Sequence, residues 1–387
     1  MSRRSPNGMG TVVKRSDGRY QAAVYVLTPT GHRIRKYVYG KTWDEANAER
    51  LKLLDNNRRG VPSTSSTMTL DSYLDYWLRD VAAHELRVST FARYQALVDG
   101  YIRPHIGTKK LNRLTPGDIR QLMVNLERAP GKGGKPLSGR TRQFIHAVLR
   151  SALQHAVRED LVGRNVAKLV SPPKAEPGEV IPLDRQQARD FLAAAREHWL
   201  CALWLLLVMT GLRRGEALGL TWSDVNFASG TMWVRRTLQK IDGEFIVGEP
   251  KSRRSRRVIT LPTVCIQALQ RHREIAAARA DVSQRQPLSH QPSDLIFTTR
   301  TGRPIDPRSI NKAFARLLKR AAISPSRVHD LRHTCASLLL LDGASDREVM
   351  ELLGHSSTHI TMNIYAHVLD ESKRRLAARM DSLLSDK

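Results

Sequence analysis

Apolar and polar residues alternate with a period of two near the start of the chain. Residues 10–26, GTVVKRSDGRYQAAVYV, set β-branched and aromatic runs around a Ser16-Asp17-Gly18 turn, and HRIRKYVYG, residues 32–40, follows a second turn at Pro29-Thr30-Gly31. This pattern predicts three short strands. A helix then opens at Thr42, where TWDEANAERLKLLDNN offers an N-cap threonine and Glu45 three residues later, the spacing of a capping box. From Leu70 the period turns helical, through LDSYLDYWLRDVA, STFARYQALVDGYIRPHIG, TPGDIRQLMVNLER and the long SGRTRQFIHAVLRSALQHAVRED. Ser89 and Thr115 are expected N-caps, with Gly107 and APGKGGKP as breakers. The remainder reads as helices around a small β-meander, GTMWVRRTLQ, EFIVGEP and RRVITLP. Trp199 to Met209, an apolar run of 11 residues, reads as a helix buried on all sides.

Two linkers divide this pattern. VPSTSSTM, residues 61–68, and the proline-rich SPPKAEPGEVIP, residues 171–182, place domains at 1–63, 64–172 and 173–387. At 387 residues the chain is long enough for several cores, and no internal repeat is visible. The fold class expected is therefore multidomain and mainly α, with small β-sheets.

Charge changes the picture most. The chain carries 63 Lys+Arg against 37 Asp+Glu, a net +26, spread as +8, +8 and +10 over the three domains. Such basicity in every domain points to a polyanionic partner, with nucleic acid ahead of an anionic membrane. The longest apolar run is far short of the roughly 20 residues of a membrane span, which sets the membrane reading aside. Three cysteines at wide spacing, without a CxxC pair, suggest neither a disulfide framework nor a structural zinc site, and a reducing cytoplasm fits.

Candidate chemistry gathers in the last third. HDLRH puts His329 and His333 at i, i+4, a zincin-like spacing, but Asp330 stands where the catalytic glutamate would be and no third ligand is marked. The stronger reading pairs His329 with Arg332 on the same side of one helix, a proton donor beside a planar fork for phosphate oxygens. A second fork, Arg213 in TGLRRGEALGL, emerges at the end of the apolar helix, with Glu216 three residues on to orient it. Two arginines from distant parts of the chain could together neutralise a pentacovalent phosphorane. Tyr365 lies in THITMNIYAHV, after LLGH and beyond Gly354.

Arg213 in TGLRRGEAL, then HDLRH, LLGH and a tyrosine ten residues after that histidine, in this order, resemble the tyrosine recombinases of the phage integrase family. The resemblance implies that Arg213, His329, Arg332 and His355 hold the scissile phosphate, that Tyr365 is the nucleophile, and that Lys251 in PKSRRSRR protonates the leaving 5′-oxygen. In that loop Arg253, Arg254, Arg256 and Arg257 crowd the same stretch, and a generic phosphate-binding loop is the alternative reading. The resemblance extends to residues 69–172 as the helical, SAM-like core-binding domain, where Val166 replaces the usual proline of an Asn-Pro pair. Residues 10–58 resemble the arm-binding domain, three strands backed by a helix, and the last domain a mixed α/β catalytic domain.

The function implied by the resemblance is that of a site-specific integrase of a phage or mobile genetic element. Tyr365 would attack phosphorus to give a 3′-phosphotyrosyl bond and a free 5′-hydroxyl, without metal, nucleotide or other cofactor. Implied partners are core-type and arm-type double-stranded DNA sites and three further copies of the chain in a homotetramer. An excisionase and a host DNA-bending protein are candidate further partners. The implied location is the bacterial cytoplasm, on the nucleoid when DNA is bound. The C-terminal stretch ESKRRLAARMDSLLSD, with Leu376, Met380, Leu383 and Leu384 at helical spacing, would pack on its own domain or dock on a neighbouring copy. A supercoil-relaxing enzyme of the same chemistry and a non-catalytic DNA-binding regulator are the alternatives; the arm-like domain argues against the first, and the ordered catalytic residues against the second.

Overall fold

A computed structural model describes residues 9–27, 33–58, 68–128, 131, 134, 136–174, 182–250, 255–282, 294–354 and 380–381. The chain divides into two compact units between Pro177 and Gly178.

The first unit opens with β1 (Thr11–Lys14), β2 (Tyr20–Leu27) and β3 (Arg33–Gly40), an antiparallel sheet in that order, followed by α1 (Trp43–Arg58). Alternation gives the sheet two faces. Ala22, Val24 and Val26 are buried on the face that packs on α1, where Ala46 is also buried. The register sets Tyr25 opposite Arg35, Ala23 opposite Tyr37 and Gln21 opposite Tyr39 on the other face, and there Val13, Tyr25, Tyr37 and Tyr39 stay exposed. Thr42 Oγ1 accepts from Glu45 N at 3.2 Å, while Glu45 Oε2 accepts from Lys41 N at 2.7 Å, so the expected capping box forms with its return arm one residue early.

The helical part comprises α2 (Leu70–Tyr76), α3 (Ala83–Glu85), α4 (Val88–Leu97), α5 (Arg103–Ile106), α6 (Pro116–Arg128) and α7 (Gly139–Arg158). Two π-helical stretches, Trp77–Ala82 and Val98–Ile102, continue α2 and α4, which no sequence signal announced. Leu70, Tyr73, Leu74, Ile119, Leu122, Leu149 and Leu153 share one core, in which Tyr73 Oη donates to the Ala152 carbonyl at 2.7 Å. Thr115 caps α6 as expected, accepting from Asp118 N at 3.2 Å. Ser89 does not cap α4: the helix begins earlier, at Val88, because Arg87 is extended and its carbonyl takes the first amide bonds, from Thr90 and Phe91.

The second unit holds α8 (Arg185–Ala195), α9 (Cys201–Thr210), α10 (Arg214–Leu218), β4 (Val225–Asn226), β5 (Thr231–Val234), β6 (Thr237–Ile241), β7 (Glu244–Gly248), β8 (Arg257–Thr260), α11 (Thr263–Val282), α12 (Pro307–Arg320), α13 (Asp330–Asp342) and α14 (Asp346–Leu353). Phe191, Trp204 and Phe314, from α8, α9 and α12, pack ring on ring at 5.3 to 5.9 Å between centroids. Burying such rings is the largest single hydrophobic contribution per side chain. α9 is not buried all round: Cys201 and Leu205 are partly open and Met209 is exposed, one stripe four residues apart.

The expected single meander is instead two sheets, β4-β5-β8 and the β6–β7 hairpin. GTMWVRRTLQ breaks at Arg235-Arg236, because Arg236 turns to Thr221 Oγ1 and Asp224 Oδ2 at 2.6 and 2.8 Å and Arg235 lies 3.3 Å from Asp224 Oδ1. With β5 ended there, its partner becomes β8, Met232 opposite Ile259. Among the described residues no helix is long and apolar enough to cross a membrane.

Candidate active site

α9 ends in a left-handed turn at Gly211, φ +60°. Glycine takes this φ without strain, and a Cβ here would stand 2.3 Å from Leu353 Cδ2 and in contact with Cys335. The close approach brings the end of α9 against α13 and the end of α14, and it aims Arg213 two residues later.

Arg213 is extended and stands at the N-terminus of α10. Its backbone N–H donates to Glu216 Oε2 at 3.1 Å and its Nη1 to Glu216 Oε1 at 2.7 Å, with a longer bond to Ser255 Oγ at 3.4 Å. Glu216 is only 2% exposed. Burial pushes its carboxyl up, but the guanidinium charges of Arg257 and Arg213 and the bonds from Arg213 outweigh that and hold it below the usual carboxylate range. Thus the carboxylate stays ionised, and two guanidinium groups share one negative charge.

Arg332, on the first turn of α13, is also 2% exposed. Its Nη1 donates to the Gly211 carbonyl at 2.8 Å and its Nη2 to the Leu353 carbonyl at 2.6 Å. A buried charge must be met by polar atoms, and here the carbonyls at two helix ends, where the helix dipole is negative, meet it. His329 stands at the N-cap position of α13 without a capping bond from its side chain, its ring 5.2 Å from that of His333 and edge-on to it. One side of His329 is open. On the packed side desolvation, then His333, Arg332 and Arg213, pull its pKa down to about 4. The imidazole is therefore neutral at neutral pH, able to accept a proton once an anion arrives. Beside it lies a cavity of about 540 Å³ lined by Arg214, Asn311, Phe314, Arg327 and His329. Arg327 is taken up by Asp330, at 2.9 Å.

The structure therefore brings Arg213, His329 and Arg332 together. Lys251, His355 and Tyr365 lie outside the described residues, as does most of the C-terminal stretch. Sequence reasoning missed the inward turn of Arg257, whose side chain is 7% exposed and 3.2 Å from Glu216, and the part of Ser255. The signal was there: period-two alternation puts Arg257 on the same face of β8 as buried Ile259.

Arg213, half-buried, and Arg332, buried, carry more positive charge than Glu216 cancels, an arrangement that could meet the oxygens of an anion such as a phosphodiester. The phage integrase family model matches residues 182–372, and the model of the phage integrase N-terminal SAM-like domain matches residues 69–126. Together they cover more than half of the chain. A tyrosine recombinase XerC-like protein of Caldanaerobacter subterraneus subsp. tengcongensis is 28% identical over 394 residues, 96% of this chain and 98% of the relative. In fold the chain is similar to the Tn1549 transposon integrase in complex with a circular intermediate DNA, with a TM-score of 0.66 and 22% identity over 81% of this chain and 99% of that one. It is similar also to lambda integrase, in a tetramer bound to a Holliday junction, with a TM-score of 0.56 and 20% identity over 92% and 94%. The chain belongs to the phage integrase family. It is a tyrosine recombinase, an enzyme that breaks and rejoins DNA strands.

Proposed function

We propose that the protein is the integrase of a phage or other mobile genetic element, and that it acts through a phosphotyrosine bond to DNA. Tyr365 attacks the scissile phosphorus; Arg213 and Arg332 bind the non-bridging oxygens and stabilise the charge added in the phosphorane. His329 and His355 complete the phosphate site and manage protons, and Lys251 gives a proton to the departing 5′-oxygen. Because the phosphotyrosyl bond is close in energy to the phosphodiester it replaces, the 5′-hydroxyl of a partner strand can reverse the step without ATP. The observation that carries this reading is the pairing of two fixed guanidinium forks, Arg213 on Glu216 and Arg332 on two helix-end carbonyls, both close enough for their charges to act on His329.

The protein works as a homotetramer on double-stranded core-type sites, in line with the lambda integrase tetramer. The open face of the N-terminal sheet binds arm-type DNA: its tyrosines offer stacking and hydroxyl contacts, while Arg15 over Tyr39 and Arg35 over Tyr25 and Tyr37 offer charge. An excisionase and a host DNA-bending protein belong to the same proposal, as does a site of action in the bacterial cytoplasm. The boundaries 1–63, 64–172 and 173–387 assign arm binding, core binding and catalysis in turn. The test is strand exchange between two plasmids bearing the paired attachment sites, in EDTA and without nucleotide. Recombinant joints are expected; relaxation of supercoils without joints would contradict the integrase reading.

A further inference from the structure

The basic run before β8 looks uniform in sequence, yet its last arginine behaves unlike a phosphate contact. Arg256 is exposed, whereas Arg257 shares the inward face of β8 with Ile259, which is 1% exposed. All three nitrogens of its guanidinium are engaged. Nε donates to the Leu352 carbonyl at 2.6 Å, Nη1 to the Ser255 carbonyl at 3.0 Å and Nη2 to Glu216 Oε2 at 3.2 Å. A planar fork can meet acceptors in three directions at once; an ammonium on a flexible stem cannot hold the same geometry.

One of those acceptors, Glu216, holds Arg213 directly, and another, the Leu352 carbonyl, is next in sequence to one that holds Arg332. Glu216 divides its oxygens: Oε1 takes Arg213 Nη1 at 2.7 Å, and Oε2 takes the Arg213 backbone N–H at 3.1 Å together with Arg257. Without Arg257 the carboxylate would lose the contact that fixes its far side. At the other end, Leu352 and Leu353 are consecutive residues at the close of α14; Arg257 takes the carbonyl of the first and Arg332 that of the second, at 2.6 Å each. Ser255 joins the same network twice, through its carbonyl to Arg257 and its Oγ to Arg213.

We infer that Arg257 is a positioning residue: through Glu216 it sets the aim of Arg213, and through the end of α14 it braces the carbonyl frame that holds Arg332. The inference rests on the reading of Arg213 and Arg332 as phosphate-binding arginines.

The test compares full-length wild type, Arg257→Met, Arg257→Lys, Arg213→Lys and the Arg213→Lys/Arg257→Met double variant. The substrate is a nicked duplex carrying the attachment site recovered from DNA flanking the gene. The rate of covalent adduct formation is read at saturating DNA, and affinity separately by gel shift. A reacting group misplaced by about 1 Å costs on the order of a hundredfold, so Arg257→Met is expected to slow cleavage by about ten- to a hundredfold with affinity kept within about twofold. Arg257→Lys should recover only part of the rate. In the Arg213→Lys background the same Arg257→Met change should cost less than about threefold, because coupled residues are not additive.

A wild-type adduct with Arg257→Met within about twofold of normal would overturn this inference alone. So would losses that multiply in the double variant, or a loss confined to affinity, which would make Arg257 an ordinary phosphate contact. Unfolding of both Arg257 variants by circular dichroism would overturn it too, assigning the residue to the stability of the fold. Absence of any adduct with wild-type protein on DNA that it binds would remove the catalytic reading and this inference together.

Discussion

On the open face of the N-terminal sheet, Arg35 lies over the rings of Tyr25 and Tyr37, 5.9 and 5.5 Å from their centroids, in contact with water. In the second unit Arg332 is 2% exposed and its guanidinium is pinned by two backbone carbonyls. The residue type is the same and the physics is opposite. A solvated arginine stacked on an aromatic face keeps most of its hydration, adapts its position and is screened by salt. A buried one has its desolvation cost offset during folding, so it meets a developing charge without further reorganisation. The net +26 is thus not one property but two: solvated charge on an open face, and buried charge held in a fixed frame.

Substitutions in the two regions should separate these roles. The largest effect is expected at the buried forks: Arg213→Ala or Arg332→Ala should still bind attachment-site DNA but cleave it at least about a hundredfold more slowly, as for loss of an oxyanion donor. Single-turnover adduct formation checks this, and near-normal cleavage by either variant would erase the distinction between the two kinds of arginine. Next comes the frame. Gly211→Ala combines φ +60° with a Cβ 2.3 Å from Leu353 Cδ2, so it should destabilise the protein by more than about 1 kcal/mol. Thermal melting measures that loss.

Acid should weaken the same region. Burial and the neighbouring cations lower the pKa of His329 to about 4, and burial lowers that of His333, below the ordinary value of about 6.5 in the unfolded chain. The unfolded state then binds more protons, so stability is lost as pH falls from about 6.5 towards about 4. Melting at pH 7.5 and 5.0 should show this, with a smaller difference in His329→Gln. Solvent on the open side of His329 screens the charges, which makes this effect a modest one. An unchanged pH dependence in His329→Gln would mean that the ring is not held neutral by its surroundings. The smallest effect on cleavage belongs to the sheet. Arg35→Ala should leave adduct formation on a core-type site within about twofold while lowering the salt slope of arm-type binding by about 0.9, the share of one phosphate contact. A variant that cleaves poorly but binds arm-type DNA normally would reverse the comparison.

Much of this division is legible in the residues. Alternation places the three tyrosines outward, the Arg213–Glu216 spacing anticipates their ion pair, and HDLRH anticipates a histidine beside a fork. Other features are not, and each has a physical reason. The break between β5 and β6 depends on Arg235 and Arg236 turning to Asp224, a contact across secondary elements that local propensity does not register. The two π-helical stretches leave the apolar pattern of their helices intact and so give no signal. Arg332 reads in sequence as a phosphate fork beside His329; that its guanidinium is buried against two carbonyls follows only from the closure of α9, α13 and α14 around Gly211. Arg257 was hidden by composition, since five basic residues in KSRRSRR make every one look like a phosphate contact, although strand alternation already turned this one inward.

Both forks are assigned to one event, attack by Tyr365, and covalent trapping tests that assignment most directly. The protein is incubated with a nicked suicide duplex of its own attachment site, and denaturation-resistant adducts are mapped by peptide mass, with Tyr365→Phe in parallel. The expected result is an adduct on the peptide containing Tyr365 that is absent from the Phe variant. An adduct that persists in Tyr365→Phe, or none from wild-type protein that binds and pairs these sites, would contradict the assignment.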